Sequence, residues 1–340
     1  MNSAKKLDIL HNDIRSELFT TVHAADNAQI ACMSVMISIQ RNEMACYEIG
    51  KNFNKIRHNP LHYHDYIEIF CLHSFSEKVN ITINGCDFDL KGGQMTIIPM
   101  LLPHCLNSVC TGSSGLRPMF TLEALKKHVG NEALALFFDW AYLRPWLHGG
   151  DVTHLTLEIP KESQFYFDCL INELFDASDH AQSEQLKRGS KLIDEHNAAV
   201  AEALHKFSEM FALIFYDSCT EYERKIFEKY RAPMLAVLDY IDEHLAEQIK
   251  LSDLCRISGF GVTRFSTVFH EIMKLSPTEY INFTRIRKAR FLVVNTDISL
   301  SEIGRMCGFN SLDYFGRVFK SHTGCPPKIY RNEYLLEWQE

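Results

Sequence analysis

Two histidines flank one residue in His62-Tyr63-His64, and Glu68 follows four residues on, also in phase. Alternate side chains of a β-strand share a face, so an extended segment here turns His62, His64 and Glu68 the same way. A third imidazole, His104, follows Gly93 and Pro99. Three imidazoles and a carboxylate are ligands that Fe, Mn, Ni or Zn accept. The same groups can instead orient a small organic ligand or satisfy one another.

These residues need a β scaffold, and the surrounding sequence has that texture. Val35–Ile39, Tyr66–Leu72, Val79–Ile83 and Met95–Ile98 are predicted strands. Asn84-Gly85 is a hairpin signal, because both residues tolerate positive φ. Pro99 ends the Met95 strand. Short strands joined by turns predict a sandwich or small barrel up to Leu122, preceded by an N-terminal arm.

Helical periodicity takes over next. Glu123–Val129, Asn131–Trp140, Lys161–Phe175 and Ala198–Lys229 carry apolar residues at helical spacing. Polar Asp176–Gly189 is a predicted loop. The aromatic run from Phe137 to Trp146 reads as core, with Trp146 a candidate for an effector pocket. Leu204, Phe207, Met210, Phe211, Ile214 and Phe215 need a covering surface, within the chain or on a second copy. Pro233 is expected at the first turn of a new helix. The predicted divisions are 1–122 (barrel and arm), 123–229 (accessory helices and linker) and 230–340, with Glu221–Lys229 a charged lead-in.

Charge separates the last division from the rest. The net charge is -8, yet Lys250–Arg331 holds 13 Lys and Arg against 6 Asp and Glu. A basic module on an acidic body fits nucleic-acid binding confined to one domain. The 11 cysteines form no CxxC pair. The N-terminus lacks an apolar signal core, and no apolar run reaches the roughly 18 residues of a membrane span. Reduced thiols, a cytoplasmic location and no membrane association are expected.

The basic module repeats one pattern. Leu251-Ser-Asp-Leu-Cys-Arg-Ile-Ser-Gly-Phe260 continues into Val262–His270, and Leu300-Ser-Glu-Ile-Gly-Arg-Met-Cys-Gly-Phe309 into Ser311–Lys320. Each copy predicts a short helix, a Gly-Phe turn and a second helix presented to a DNA major groove. Leu254, Ile257, Phe260, Phe265 and Phe269 are the expected inward set of the first copy. In the second they are Ile303, Met306, Phe309, Phe315 and Phe319. Outward and available to DNA are Thr263, Arg264, Ser266, Thr267 and His270, then Asn310, Ser311, Asp313, Tyr314, Arg317 and Lys320. Ser301 is the expected cap of the first helix of the second copy, and Ser311 of its second. One long helix, Pro277–Val294, is expected to pack on both motifs.

Residues 233–335 resemble the DNA-binding domain of the AraC/XylS transcription regulators. The resemblance rests on Arg285-Ile-Arg-Lys-Ala289, Thr296–Ile303, Gly308-Phe309, Tyr314–Lys320 and Thr323–Arg331. It implies seven helices, two recognition helices and promoter binding beside RNA polymerase. The first copy departs from the pattern: Thr267 stands where the family often has Arg, His270 for Lys, Lys274 for Gly, and Gly261 for a capping Ser or Thr. Asp313 replaces a small polar residue in the second.

The histidine stretch resembles the two motifs of cupin barrels, whose metal enzymes use these positions. Leu101 replaces the glycine of the second motif, and Asn107 falls one position early. AraC-type regulators often carry a cupin-like sensor that holds a small effector and no metal. The resemblances together imply an α+β multidomain chain: an N-terminal cupin-like β-barrel with accessory helices, and a C-terminal all-α domain with two helix-turn-helix motifs. The expected protein is a non-enzymatic, effector-controlled transcription regulator, an activator by analogy, acting as a homodimer on double-stranded DNA. His62, His64, Glu68 and His104 are its effector-binding candidates, no cofactor is required, and no metal is favoured. Two alternatives stand: a divalent-metal cupin enzyme fused to a DNA-binding tail, and a regulator whose barrel binds a protein.

Overall fold

The computed structural model describes residues 44–49, 63–109, 113, 115–185 and 191–336. It divides into two compact units, Met1–Thr220 and Glu221–Glu340. The expected strand Val35–Ile39 and the candidate His62 lie outside the described residues.

Among the described residues the first unit carries eight strands: β1 Met44–Ile49, β2 Ile67–Leu72, β3 Lys78–Ile83, β4 Cys86–Lys91, β5 Gln94–Ile98, β6 His104–Val109, β7 Gly115–Phe120 and β8 Thr156–Glu158. They form a five-stranded sheet, ordered β1-β7-β2-β5-β8, and a three-stranded sheet, ordered β4-β3-β6. All pairings are antiparallel. Among the described residues neither sheet closes on itself, so the expected barrel is two open sheets. Strand β2 is buried along its whole length, while β3 alternates. A central strand covered on both faces needs apolar residues at nearly every position, and Glu68 is its conspicuous exception. The β3–β4 hairpin turns through Asn84 at φ 51° and Gly85 at φ 76°. This is the two-residue turn whose twist matches the strands.

The helices of this unit pack against the five-stranded sheet. Helix α1 is Asn131–Phe138, α2 Gln164–Gln185 and α3 Lys191–Ser218. Trp140, fully buried, stacks on Phe211 of α3 with ring centroids 5.7 Å apart. Leu204, Phe207, Met210, Phe211 and Phe215 are buried within the unit, while Ile214 is half-buried. The expected loop Asp176–Gly189 is helical as far as Gln185. Residues 176–185 contain no Gly or Pro, and their Ala, Gln and Glu favour helix.

The second unit holds seven helices among the described residues: α4 Glu221–Glu243, α5 Leu251–Ser258, α6 Val262–Met273, α7 Pro277–Asn295, α8 Leu300–Met306, α9 Leu312–Thr323 and α10 Pro327–Leu336. The division falls at Glu221 rather than near residue 230, because the helix expected to start at Pro233 begins at Glu221. The single stretch expected over Ala198–Lys229 is two helices, broken at Cys219-Thr220. Pro233 sits inside α4. Its missing N–H removes the bond to the carbonyl of Lys229, an exposed residue where water can replace it. Phe227, Tyr230, Met234, Val237, Leu238 and Ile241 form one buried stripe that runs through the proline.

Candidate nucleic-acid interface and buried polar cluster

In the first unit, Glu68 of β2 meets His104, which opens β6 of the other sheet. His64 Nε2 lies 2.8 Å and His104 Nε2 3.0 Å from the same oxygen, Glu68 Oε2. Arg117 of β7 donates through Nη1 to the other oxygen, Oε1, at 3.2 Å. His64, Glu68 and His104 are all buried. The cluster is therefore a polar link between the two sheets. Burial raises the Glu68 carboxyl, but the hydrogen bonds from His104 and His64 and the Arg117 charge outweigh it and hold the group well below its usual range. Burial pushes the His104 imidazole down.

Each ring faces oxygens on both sides. His64 Nδ1 is 3.1 Å from the Tyr66 carbonyl, and His104 Nδ1 is 2.8 Å from that of Leu102. A neutral imidazole has one N–H, so it donates either to its carbonyl or to Glu68. A proton on Nε2 holds the carboxylate. A proton on Nδ1 leaves the Nε2 lone pair aimed at the cluster centre, the form that binds a metal. One donor atom from each of His64, Glu68 and His104 lies within 4.8 Å of the others, so the set fits Zn, Fe, Mn or Ni.

Leu101, standing where cupin motifs carry glycine, adopts φ 64°. Its N–H donates to the His64 carbonyl at 2.9 Å, so this turn helps seat His64. Asn107 points elsewhere: its Nδ2 donates to Asn80 Oδ1 at 2.8 Å and to Thr82 Oγ1 at 2.7 Å.

In the second unit, each copy of the repeat builds the same local structure. Helix α5 ends at Gly259 in the left-handed region, and α8 is followed by Gly308 at φ 81°. Positions 261–270 and 311–320 then show the same succession of exposed and buried residues, position for position. Phe265, Val268 and Phe269 are buried in α6, as are Phe315, Val318 and Phe319 in α9. Of the other inward residues, Leu254, Ile303 and Phe309 are buried. Ile257 and Phe260 are only half-buried, and so is Met306, whose expected place in the core is taken by Cys307.

Thr263, Thr267, His270, Asn310, Ser311, Asp313, Arg317 and Lys320 are exposed, and Ser266 is half-buried. Arg264 is exposed but tied back: its Nη2 donates to Tyr230 Oη at 2.5 Å. At the matching position, Tyr314 Oη accepts from Asn282 Nδ2 at 3.0 Å. The Ser311 hydroxyl accepts from the Tyr314 N–H at 3.3 Å, capping α9, whereas Gly261 offers α6 no such bond. In the second copy Ser299, not Ser301, caps α8 by accepting from the Glu302 N–H. Sequence reasoning passed over Val262 and Leu312, the first residues of α6 and α9, which are 56% and 54% exposed. Their shared place after the cap was the available signal.

A family model described as a helix-turn-helix domain matches residues 254–333. Residues 254–333 are an AraC-type helix-turn-helix domain. The transcriptional regulator ExsA of Pseudomonas aeruginosa is 34% identical over 27% of this chain and 33% of its own length. The DNA-binding domain of AdpA, solved with a target DNA, is 26% identical over 31% of this chain and 95% of that one, with a TM-score of 0.30. ToxT of Vibrio cholerae, solved with an unsaturated fatty acid, is 13% identical over 85% of this chain and 94% of that one, with a TM-score of 0.41. The chain spans about a third of the length of ExsA and about half of that of the YobQ regulator of Bacillus subtilis, and 13% of a longer Staphylococcus aureus regulator.

Helix α7 holds the AraC-type domain together. It opens with a reciprocal cap between Ser276 and Glu279, with Pro277 in its first turn. Ile286, Ala289 and Val293 join the core of the second repeat. Its basic residues are not all free for phosphate. Arg285 donates to the carbonyls of Leu245 at 3.0 Å and Glu247 at 2.6 Å, and covers the Phe309 ring. Arg290 donates to Tyr330 Oη at 3.3 Å. From α10, Arg331 donates to the carbonyls of Val293 and Ile298. Among the described residues no helix is long and apolar enough to cross a membrane.

Proposed function

We propose that this chain is a sequence-specific DNA-binding regulator of transcription that reads two successive major grooves with α6 and α9. The observation that carries this reading is the matched exposure of positions 261–270 and 311–320 within one seven-helix unit. Two heads of one register, fixed by a shared helix, suit half-sites about one helical turn apart, roughly 10 base pairs. The local excess of Lys and Arg supplies the phosphate attraction. Selection from random duplex DNA with the purified full chain tests this. Two enriched half-sites at that spacing are expected, and recovery of unrelated sequences overturns it.

In this reading the first unit is a cupin-like sensor whose effector acts through His64, Glu68 and His104. A ligand there shifts DNA binding only by its differential affinity for the two states. Activation through RNA polymerase and a homodimer complete the proposal. Phe165 on α2 and Leu213 on α3 are exposed apolar residues that a second copy would cover. Sedimentation of the full chain measures the assembly.

A second reading follows from the three converging donor atoms: His64, Glu68 and His104 hold a divalent cation, with Arg117 occupying the carboxylate oxygen that faces away. Metal analysis of the purified chain and of Glu68→Gln separates the two. Stoichiometric metal in the first and none in the second supports the cation, and metal-free protein in both removes it.

A further inference from the structure

Val262 and Leu312 occupy matched positions, each the first residue of its helix, at 56% and 54% exposure. A single exposed aliphatic side chain needs no account, since folded surfaces carry many. A matched pair does. The other outward positions differ in chemistry between the copies: Thr263 against Asp313, Arg264 against Tyr314, Ser266 against Gly316, Thr267 against Arg317. This one keeps an aliphatic group in both.

Neither folding nor capping explains the conservation of type. The buried stripe of each helix starts at Phe265 and Phe315, and Val262 and Leu312 lie outside it. A first helical turn favours acidic or polar residues, and valine is a mediocre helix former. Side chains at i, i+4 and i+8 share a helix face, which aligns Val262 with Ser266 and His270, and Leu312 with Gly316 and Lys320. The fourth residue on is small in both copies. A β-carbon added at Gly316 would meet nothing within 4 Å. The aliphatic group therefore stands beside a thin patch at the helix N-terminus, the end whose residues reach base edges in a docked recognition helix.

In the major groove the apolar feature of the base edges is the C5-methyl of thymine. We propose that Val262 and Leu312 are specificity-determining residues, each packing on a thymine methyl in its own half-site. The assignment rests on the two-groove reading above. It gives the unequal heads a common element: Arg317 and Lys320 strengthen the second, but both select thymine at the equivalent position.

Deoxyuridine tests this, because it removes the methyl and leaves every hydrogen-bonding group in place. In the operator selected by the full chain, each thymine is replaced singly by deoxyuridine and binding is followed by anisotropy titration. One thymine per half-site is expected to lose about fourfold in affinity, the worth of one buried methyl-sized group. Val262→Ala abolishes that sensitivity in one half-site only, and Leu312→Ala in the other only. Both variants should melt like the parent chain, since the side chains are exposed. An operator indifferent to every thymine methyl, or variants that keep both sensitivities, overturns the assignment and leaves the DNA-binding reading standing. A chain that enriches no duplex overturns that reading, and the assignment with it.

Discussion

A β-carbon at Gly308 would lie 2.1 Å from the carbonyl oxygen of Leu245. Gly308 also adopts φ 81°, so alanine there meets a clash and an unfavourable backbone at once. Gly308→Ala is expected to destabilise the second unit by about 2 kcal/mol or more. Denaturant unfolding followed by helical circular dichroism measures it. A change below about 0.5 kcal/mol would mean that the Leu245 segment slides away at no cost. At Gly316, with open space around it, alanine should leave unfolding unchanged.

Besides Asn84, two described residues other than glycine occupy the left-handed region that glycine favours. Leu101 has φ 64° and Lys274 has φ 59°, while the position matching Lys274 in the second repeat is Gly324 at φ 82°. Leu101→Gly and Lys274→Gly should each stabilise the chain by about 1 kcal/mol, offset in part by the freer unfolded chain. Raised melting temperatures in both variants are expected. A lowered one at Lys274 would show that its side chain matters more than its backbone.

Acid should loosen the first unit in two stages. Burial holds the folded His104 below its ordinary value of 6.5, so the unfolded chain binds more protons and stability falls as the pH drops through 6.5. Glu68 titrates well below 4.5 when folded, so its contribution is present above 4.5 and is lost as the pH falls towards the folded value. Both effects have the same sign. Fluorescence of buried Trp140 during denaturant titrations at successive pH values reads this out. Glu68→Gln leaves the Arg117 charge unpaired, and a loss of about 3 kcal/mol near neutral pH is expected. It also removes the lower stage, and an unchanged low-pH slope would assign that stage to another carboxylate.

The two heads should contribute unequally. Arg317, exposed on α9 with its guanidinium 5.3 Å from the Tyr314 ring, is held where a bidentate contact can form. Thr267, its counterpart on α6, offers one short hydroxyl. Arg317→Ala should weaken operator binding by roughly 10- to 100-fold, and Thr267→Ala by a few-fold at most. Equal losses in gel-shift titrations would remove the asymmetry.

The repeat was legible because two copies share turn glycines and phenylalanines at fixed spacing, and β2, β3 and β5 because hydrophobicity and turn residues agree there. The helix breaks were harder. Thr220-Glu221-Tyr222-Glu223 is a helix-start pattern that the longer apolar periodicity of 198–229 overrode. Pro233 read as a start because propensity alone cannot see that the buried stripe continues on both sides of it. The cluster was half-visible. His64, Glu68 and His104 share motifs, but Arg117 lies on a strand whose sequence, with a proline inside it, gives no sign of facing Glu68. Tethering of Arg264 to Tyr230 is likewise a tertiary contact that no spacing rule contains.

That tether and its counterpart attach the two reading helices to different beams. Arg264 of α6 is fastened to Tyr230 of α4, the helix through which the chain enters the domain, whereas Tyr314 of α9 is fastened to Asn282 of the central α7. A twist applied to α4 is transmitted to the first head through a side chain. The second head is tied to the end of the same helix by backbone, through Leu245, whose carbonyl abuts Gly308 and accepts from Arg285. A twist of α4 therefore reaches α6 through one side-chain hydrogen bond and α9 through a backbone contact, two linkages of different stiffness.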